Sequence, residues 1–286
     1  MGSFSILNDI SALRSQNLLT QNSQNLSQTL NRLSSGKRIN SGADDAAGLQ
    51  IADSLRANIR ALDQAARNAQ DGIGVAQIAD GALDQISTIL TRAVTLAEES
   101  ANGTIDSTGR ASLQAEFAQI QAEVARISVQ TNFNGVAIFT TSGINGALSI
   151  FVGDTSGASS ISVMINTIAT SGNTVTNLGG TNLAGVDLST QTGAVNALTT
   201  LRNALRAVSS NRATIGAGMN RLQAAVAVIG NVSQNSQAAE STLRDANVAE
   251  EVANLTKYQI LAQSGLAALT QANTTHQMVL SLFKGL

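Results

Sequence analysis

The chain has no proline and 44 alanines among its 286 residues, and that pairing constrains its fold more than any other feature. Proline is the residue a helix interior tolerates least, and alanine the one it favours most. From Leu55 the apolar positions run Leu55, Ile59, Leu62, Ala66, Ala69, Ile73, Ala76, Leu83, Leu90, Val94 and Ala97. Their steps of four and three are those of a coiled-coil seam, in which Asp80 and Ser87 occupy two positions. The spacing predicts one helix from Asp44 or Asp45, whose carboxylates suit free N–H groups and the positive dipole end. The Asn102-Gly103 pair closes it.

Similar seams recur. One passes through Leu113, Phe117, Ile120, Val124 and Ile127, and another through Leu198, Leu201, Leu205, Val208, Arg212, Ile215, Met219, Leu222, Val226 and Ile229. A C-terminal seam runs Leu255, Tyr258, Ala262, Gly265, Leu269, Ala272, His276, Val279, Phe283 and Leu286. The N-terminal segment is weaker, with Ile6, Ile10, Leu13, Leu19, Leu26, Leu30 and Leu33. Between Arg126 and Arg202 only Asp154 and Asp187 are charged, and short β-like runs (136–139, 148–152, 161–165) alternate with turn residues. The expected fold is mainly α: a long antiparallel, coiled-coil-like helical bundle formed from both chain ends. A β-hairpin region and a small β- and loop-rich middle complete it.

Composition excludes several functions. With no Cys and one His, thiolate chemistry and multi-histidine metal sites are ruled out. A net charge of −2 argues against nucleic acid as a partner. No apolar run is long enough for a membrane helix, so no membrane insertion is expected. The first residues lack a basic region followed by an apolar one, so no cleaved signal peptide is expected. No constellation supports an enzyme, and no cofactor is implied. Gly216-Ala217-Gly218 lies inside a helical seam rather than after a strand, and Glu98-Glu99 and Glu250-Glu251 read as solvated faces.

The ends are nearly uncharged. Residues 1–42 carry only Asp9, Arg14, Arg32, Lys37 and Arg38, and after Lys257 only Lys284 is charged. Each end pairs an aliphatic stripe with Asn, Gln, Ser and Thr, without the charged face of an ordinary exposed helix. Such segments are expected to order when they meet each other and neighbouring subunits. The self-assembly residues are Ile6, Ile10, Leu13, Leu26, Leu30, Leu33, Leu255, Leu269, Val279 and Phe283.

Residues 33–52, LSSGKRINSGADDAAGLQIA, read as a helix end, a basic turn and a new helix capped at Asp44 and Asp45. They closely resemble the N-terminal signature of bacterial flagellins. TNFNG at 131–135 resembles the flagellin motif leading into the β-hairpin, with Asn134-Gly135 as its turn. IGAGMNRL at 215–222, AESTLRDANVAEE at 239–251, QILAQSGLAAL at 259–269 and QANTTHQMVLSLF from Gln271 resemble the C-terminal half. The likeness covers about residues 1–140 and 190–286.

The resemblance implies a structural subunit of the extracellular flagellar filament, exported unfolded and polymerised into a hollow helical tube used for swimming. It implies an inner core from residues 1–43 and 244–286, an outer core from 44–139 and 191–243, and a variable outer region at 140–190. The implied partners are copies of itself, a flagellar export chaperone, the filament cap and hook-junction proteins. A hook–filament junction protein of the same family is the alternative. Arg92, Leu96 and Glu116 match positions by which the innate flagellin receptor recognises flagellins, although Val94 and Thr95 replace neighbours that are usually charged. His276 stands where flagellins usually carry proline.

Overall fold

The computed structural model of the chain describes residues 10–140, 143–144, 146–153, 159–172 and 174–284, with side chains from Ala12 to Met278 except His276. Five helices, α1 (Ile10–Ser35), α2 (Ala46–Ala101), α3 (Ser107–Gln130), α4 (Gln191–Arg244) and α5 (Val248–Lys284), account for most of them. Between α3 and α4 lie β1 (Asn132–Phe133), β2 (Val136–Ala137), β3 (Ala147–Phe151), β4 (Ser160–Met164), β5 (Ile168–Ser171) and β6 (Thr174–Leu178), as three antiparallel pairs. The chain divides into two compact units, Met1–Ala57 with Asn235–Leu286, and Asn58–Gln234.

In the second unit α2 and α4 run antiparallel, as the pairs Asp63–Ser233, Asp80–Arg212 and Glu98–Arg202 show. The buried seam of α2 is Leu62, Ala65, Ala69, Gly72, Ala76, Ala79, Leu83, Ile86, Leu90, Ala93, Ala97 and Ser100. That of α4 includes Ala194, Ala197, Leu201, Ala204, Val208, Asn211, Ile215, Gly218 and Leu222. One layer of each seam lies where the periodicity puts it. The alternate layer lies one residue earlier, on Ala65, Gly72 and Ala79 rather than Ala66, Ile73 and Asp80, and on Ala204, Asn211 and Gly218 rather than Leu205, Arg212 and Met219. Size explains the correction: the small residues let elements approach closely, and their larger neighbours pack partly buried at the rim. Asp80 and Arg212, apparent interruptions of two separate seams, therefore face each other. Arg212 Nε donates to Asp80 Oδ1 at 2.8 Å, and its Nη1 donates to Asp84 Oδ1 at 2.7 Å.

The middle of the chain completes this core. Asn134 and Gly135 both take positive φ, 50° and 79°, the two-residue turn that matches strand twist, and they join Phe133 to Val136. The expected strand 136–139 ends at Ala137, because Ile138 and Phe139 are both fully buried and alternation cannot bury consecutive side chains. The β3–β4 pair lays Ile150 against Gly72 and Val163 against Gly218. A Cβ at Gly72 would overlap Ile150 Cδ1, and one at Gly218 would lie 2.8 Å from Val163 Cγ1. Glycine weakens a helix interior, and here it provides the notches into which the hairpin fits. The β5–β6 pair, which has a register shift at Ala169/Thr170, adds Ile168, Val175 and Leu178. It lies in the Gly- and Thr-rich stretch whose alternation is too short to read as strands.

Candidate assembly surface

The first unit is built around α1 and α5. They pack antiparallel: Asn22 Nδ2 donates to the Tyr258 carbonyl at 2.9 Å, and Arg32 pairs with Glu251 at 3.5 Å. The covered face of α5 is Leu255, Tyr258, Ala262, Gly265, Leu269 and Ala272. The covered face of α1 is Ala12, Ser15, Leu19, Asn22, Leu26, Thr29 and Leu33. One layer of that face is thus leucine-rich, and the other is Ser15, Asn22 and Thr29. Asn22 is buried, and its Oδ1 accepts no hydrogen bond from the described residues.

This arrangement redistributes the proposed self-assembly residues. Leu26, Leu33, Leu255 and Leu269 lie half-buried in the pair. Leu13 and Leu30 do not join it and stay 54% and 47% exposed. Ile6 and the side chains of Ile10, Val279, Phe283 and His276 lie outside the described residues. The polar layer went unread because an apolar-only count passes over Ser, Asn and Thr.

On α5 the apolar character extends beyond the covered face. Taken as a heptad with Leu255 and Tyr258 in the seam, Val252 and Leu266 flank one side and Leu261 the other, all exposed. The outer stripe carries Thr256, Lys257, Gln263, Ser264, Thr270 and Gln271, with Ile260 among them. A helix paired with one neighbour needs only the seam. Apolar flanks on both sides suit additional helices packed alongside.

The two chain breaks of this unit are tied together. Gly36, with φ +69°, ends α1 as a left-handed C-terminal residue does. Arg38 N donates to the Arg244 carbonyl at 2.6 Å, and Ala246 N to the Gly36 carbonyl at 3.0 Å. The arginines cross: Arg38 Nη2 donates to the Leu243 carbonyl at 3.0 Å, and Arg244 Nε to the Ile39 carbonyl at 3.2 Å. Arg244 also meets Asp53 at 3.3 Å, and Arg56 meets Glu240 at 2.6 Å. Helix ends leave carbonyls unsatisfied, and here the Arg38 guanidinium satisfies that of Leu243 near the end of α4, while Arg244 holds the turn at Ile39.

Asp44 and Asp45 divide their work. Asp45 Oδ1 accepts from Gly48 N at 2.9 Å and caps α2. Asp44 turns back: Oδ2 accepts from Ser41 N, Ser41 Oγ and Asn40 N, and Oδ1 from Gln28 Nε2. The Ser41 N–H, then the Ser41 hydroxyl, the Gln28 amide and the Asn40 N–H, hold its carboxyl below the usual carboxylate range. Glu250 is exposed, but Glu251 is only 7% exposed. The expectation of a solvated pair is corrected at that residue, because its charge is matched by Arg32 from α1.

In the second unit Arg92 Nη2 donates to Glu116 Oε1 at 2.7 Å, joining α2 to α3 on the surface. Leu96 is 0% exposed and belongs to the core. That corrects its reading as a surface contact: the α2 face carrying Leu96 also carries Ala93 and Ala97 inward. Among the described residues no group of three His, Asp or Glu is placed to hold a metal ion, and no helix is long and apolar enough to cross a membrane.

Residues 6–144 match the bacterial flagellin N-terminal helical region, and residues 198–283 match the bacterial flagellin C-terminal helical region. The chain is 39% identical over 261 residues to a flagellin of Halalkalibacterium halodurans, covering 90% of this chain and 91% of that protein. It is 35% identical over 281 residues to the flagellar filament 30.7 kDa core protein of Treponema maltophilum, covering 97% and 99%. It is 35% identical over 282 residues to a flagellin of Listeria monocytogenes, covering 96% and 97%.

Proposed function

This chain belongs to the bacterial flagellin family, and from that premise we propose how it assembles as a filament subunit. The subunit is exported unfolded through the flagellar export channel, with a chaperone holding its C-terminal segment, and polymerises beneath the filament cap into a hollow helical tube that drives swimming. Residues 1–43 with 244–286 form the inner core of that tube, 44–139 with 191–243 the outer core, and 140–190 its outermost part.

The observation that carries this reading is the unfinished surface of the terminal helix pair. Leu13, Leu18 and Leu30 on α1, and Val252, Ile260, Leu261 and Leu266 on α5, remain exposed after the two helices have paired. Neighbouring copies are the natural cover, and contacts that repeat without closing give filaments. The amide and hydroxyl stripe of α5 suits a wet lumen, where a surface with little charge lets an unfolded chain pass without strong attraction. Arg92 and Glu116 remain available as an exposed pair for recognition by a host receptor, with Leu96 supporting them from the core.

Electron microscopy of purified protein, intact and lacking residues 1–42 or 247–286, tests the assembly. Filaments from the intact chain alone are expected, and filaments from the truncated chains would refute it. Abundance along sheared filaments separates this role from that of a hook–filament junction protein, which would be confined to one end.

A further inference from the structure

We propose that Gly265, seated against Leu19, fixes the register in which α1 and α5 pair, with Arg32–Glu251 as a second key. The inference rests on the pair being an assembly element, as above. A seam with a heptad repeat has a built-in ambiguity, because sliding one helix by one heptad keeps every seam position facing the seam. The backbone bonds of Arg38 to Arg244 and of Ala246 to Gly36 oppose such a slip at one end of the pair, and along the seam something unlike its neighbours must oppose it too.

The α5 seam offers one such position. Its layer alternating with Leu255, Ala262 and Leu269 consists of Tyr258, Gly265 and Ala272. Leu19 lies over Gly265, so closely that a Cβ there would be 2.9 Å from Leu19 Cδ1. A slip of one heptad that carries Leu19 onto Tyr258 leaves the notch to Ala12, which is too small to fill it, whereas a slip the other way carries Leu26 into the notch and is opposed by the Arg32–Glu251 pair. The same slip separates Arg32 from Glu251, which is buried and carries its charge into the pair. Asn22 does not discriminate, because every register offers its amide a backbone carbonyl. Glycine is otherwise a poor choice for a helix interior, and its place beneath a leucine supplies the reason for it here.

The chain has no cysteine, so introduced pairs can report the register. Thr29→Cys with Leu255→Cys, ten residues along each helix from Leu19 and Gly265, reports the register described here, and Thr29→Cys with Ala262→Cys, one heptad further, reports a slip. In wild-type filaments the first pair is expected to cross-link and the second not. Gly265→Ala is a weak test, because the tip of Leu19 can swing aside. Gly265→Leu fills the notch and is expected to lower the sedimentable polymer about ten-fold. Leu19→Ala assembles, and combining it with Gly265→Leu restores polymer to within about two-fold, the non-additivity of two residues in contact. G265L filaments with wild-type yield and wild-type cross-linking would overturn the proposal, as would failure of the double variant when L19A alone assembles. If wild-type protein formed no filaments, the assembly reading would fall, and the register key with it. Normal wild-type filaments beside either overturning result leave the assembly reading standing and remove the key alone.

Discussion

Leu96 and Arg92 sit four positions apart on α2 and carry opposite expectations. Leu96 is fully buried, so Leu96→Ala should destabilise the folded protein by about 2–5 kcal/mol, as lost transfer energy and a cavity add. Arg92→Ala removes an exposed pair with Glu116, for which about 0–1 kcal/mol is usual. Thermal unfolding of the two variants should separate them, and equal effects would contradict their placement. Asp44 makes a pH prediction. Its folded-state pKa is lowered from 3.8, so its contribution is present above that ordinary value and is lost as pH falls through the lowered one. Protease nicking of the 36–45 turn should therefore rise at acid pH in the wild type. Asp44→Asn should show high nicking already at neutral pH, with a flatter acid limb. Which of the two adjacent aspartates caps the helix was open in the sequence, because both fit the rule. The choice depends on where Gln28 and Ser41 come to lie.

At the scale of elements, the long helices were legible because nothing in the sequence interrupts them. Their inner faces were legible only at every second layer. Leu62, Leu83, Leu90, Leu201, Val208 and Leu222 declare themselves, whereas Ala79, Gly72 and Gly218 are inconspicuous beside larger rim neighbours. The same misplacement hid the pairing of Asp80 with Arg212. A double-mutant cycle with Asp80→Ala and Arg212→Ala should give a coupling of about 0.5–1 kcal/mol, since both groups are about one-third exposed. Zero coupling would mean that the pair does not form in solution. The β3–β4 hairpin was legible as strands, but its role was not. Its docking depends on two glycines far away in sequence. Ile150→Ala, which empties the notch at Gly72, should cost about 2–5 kcal/mol in a denaturant titration. A neutral result would make the hairpin an appendage.

At the scale of the molecule, the low charge of the chain ends separates into distinct surfaces. The α1 side of the α1–α5 seam is half polar, the flanks of α5 are apolar and uncovered, and its outer stripe is amide- and hydroxyl-rich. A pair with Ser15, Asn22 and Thr29 in its seam, and with an Asn22 Oδ1 unpartnered among the described residues, gains less from burial than an all-apolar pair would. Its ordering should therefore depend on the neighbours that cover Leu18, Leu30, Leu261 and Leu266. The most direct measurement is amide hydrogen exchange of α1 and α5, in dilute subunits and in filaments of the same protein. Exchange within seconds in the subunits and strong protection in filaments is the predicted result, with α2, α3 and α4 protected in both. Equal protection of α1 and α5 in the two states would contradict the account, because the terminal helices would then be folded before any neighbour arrives.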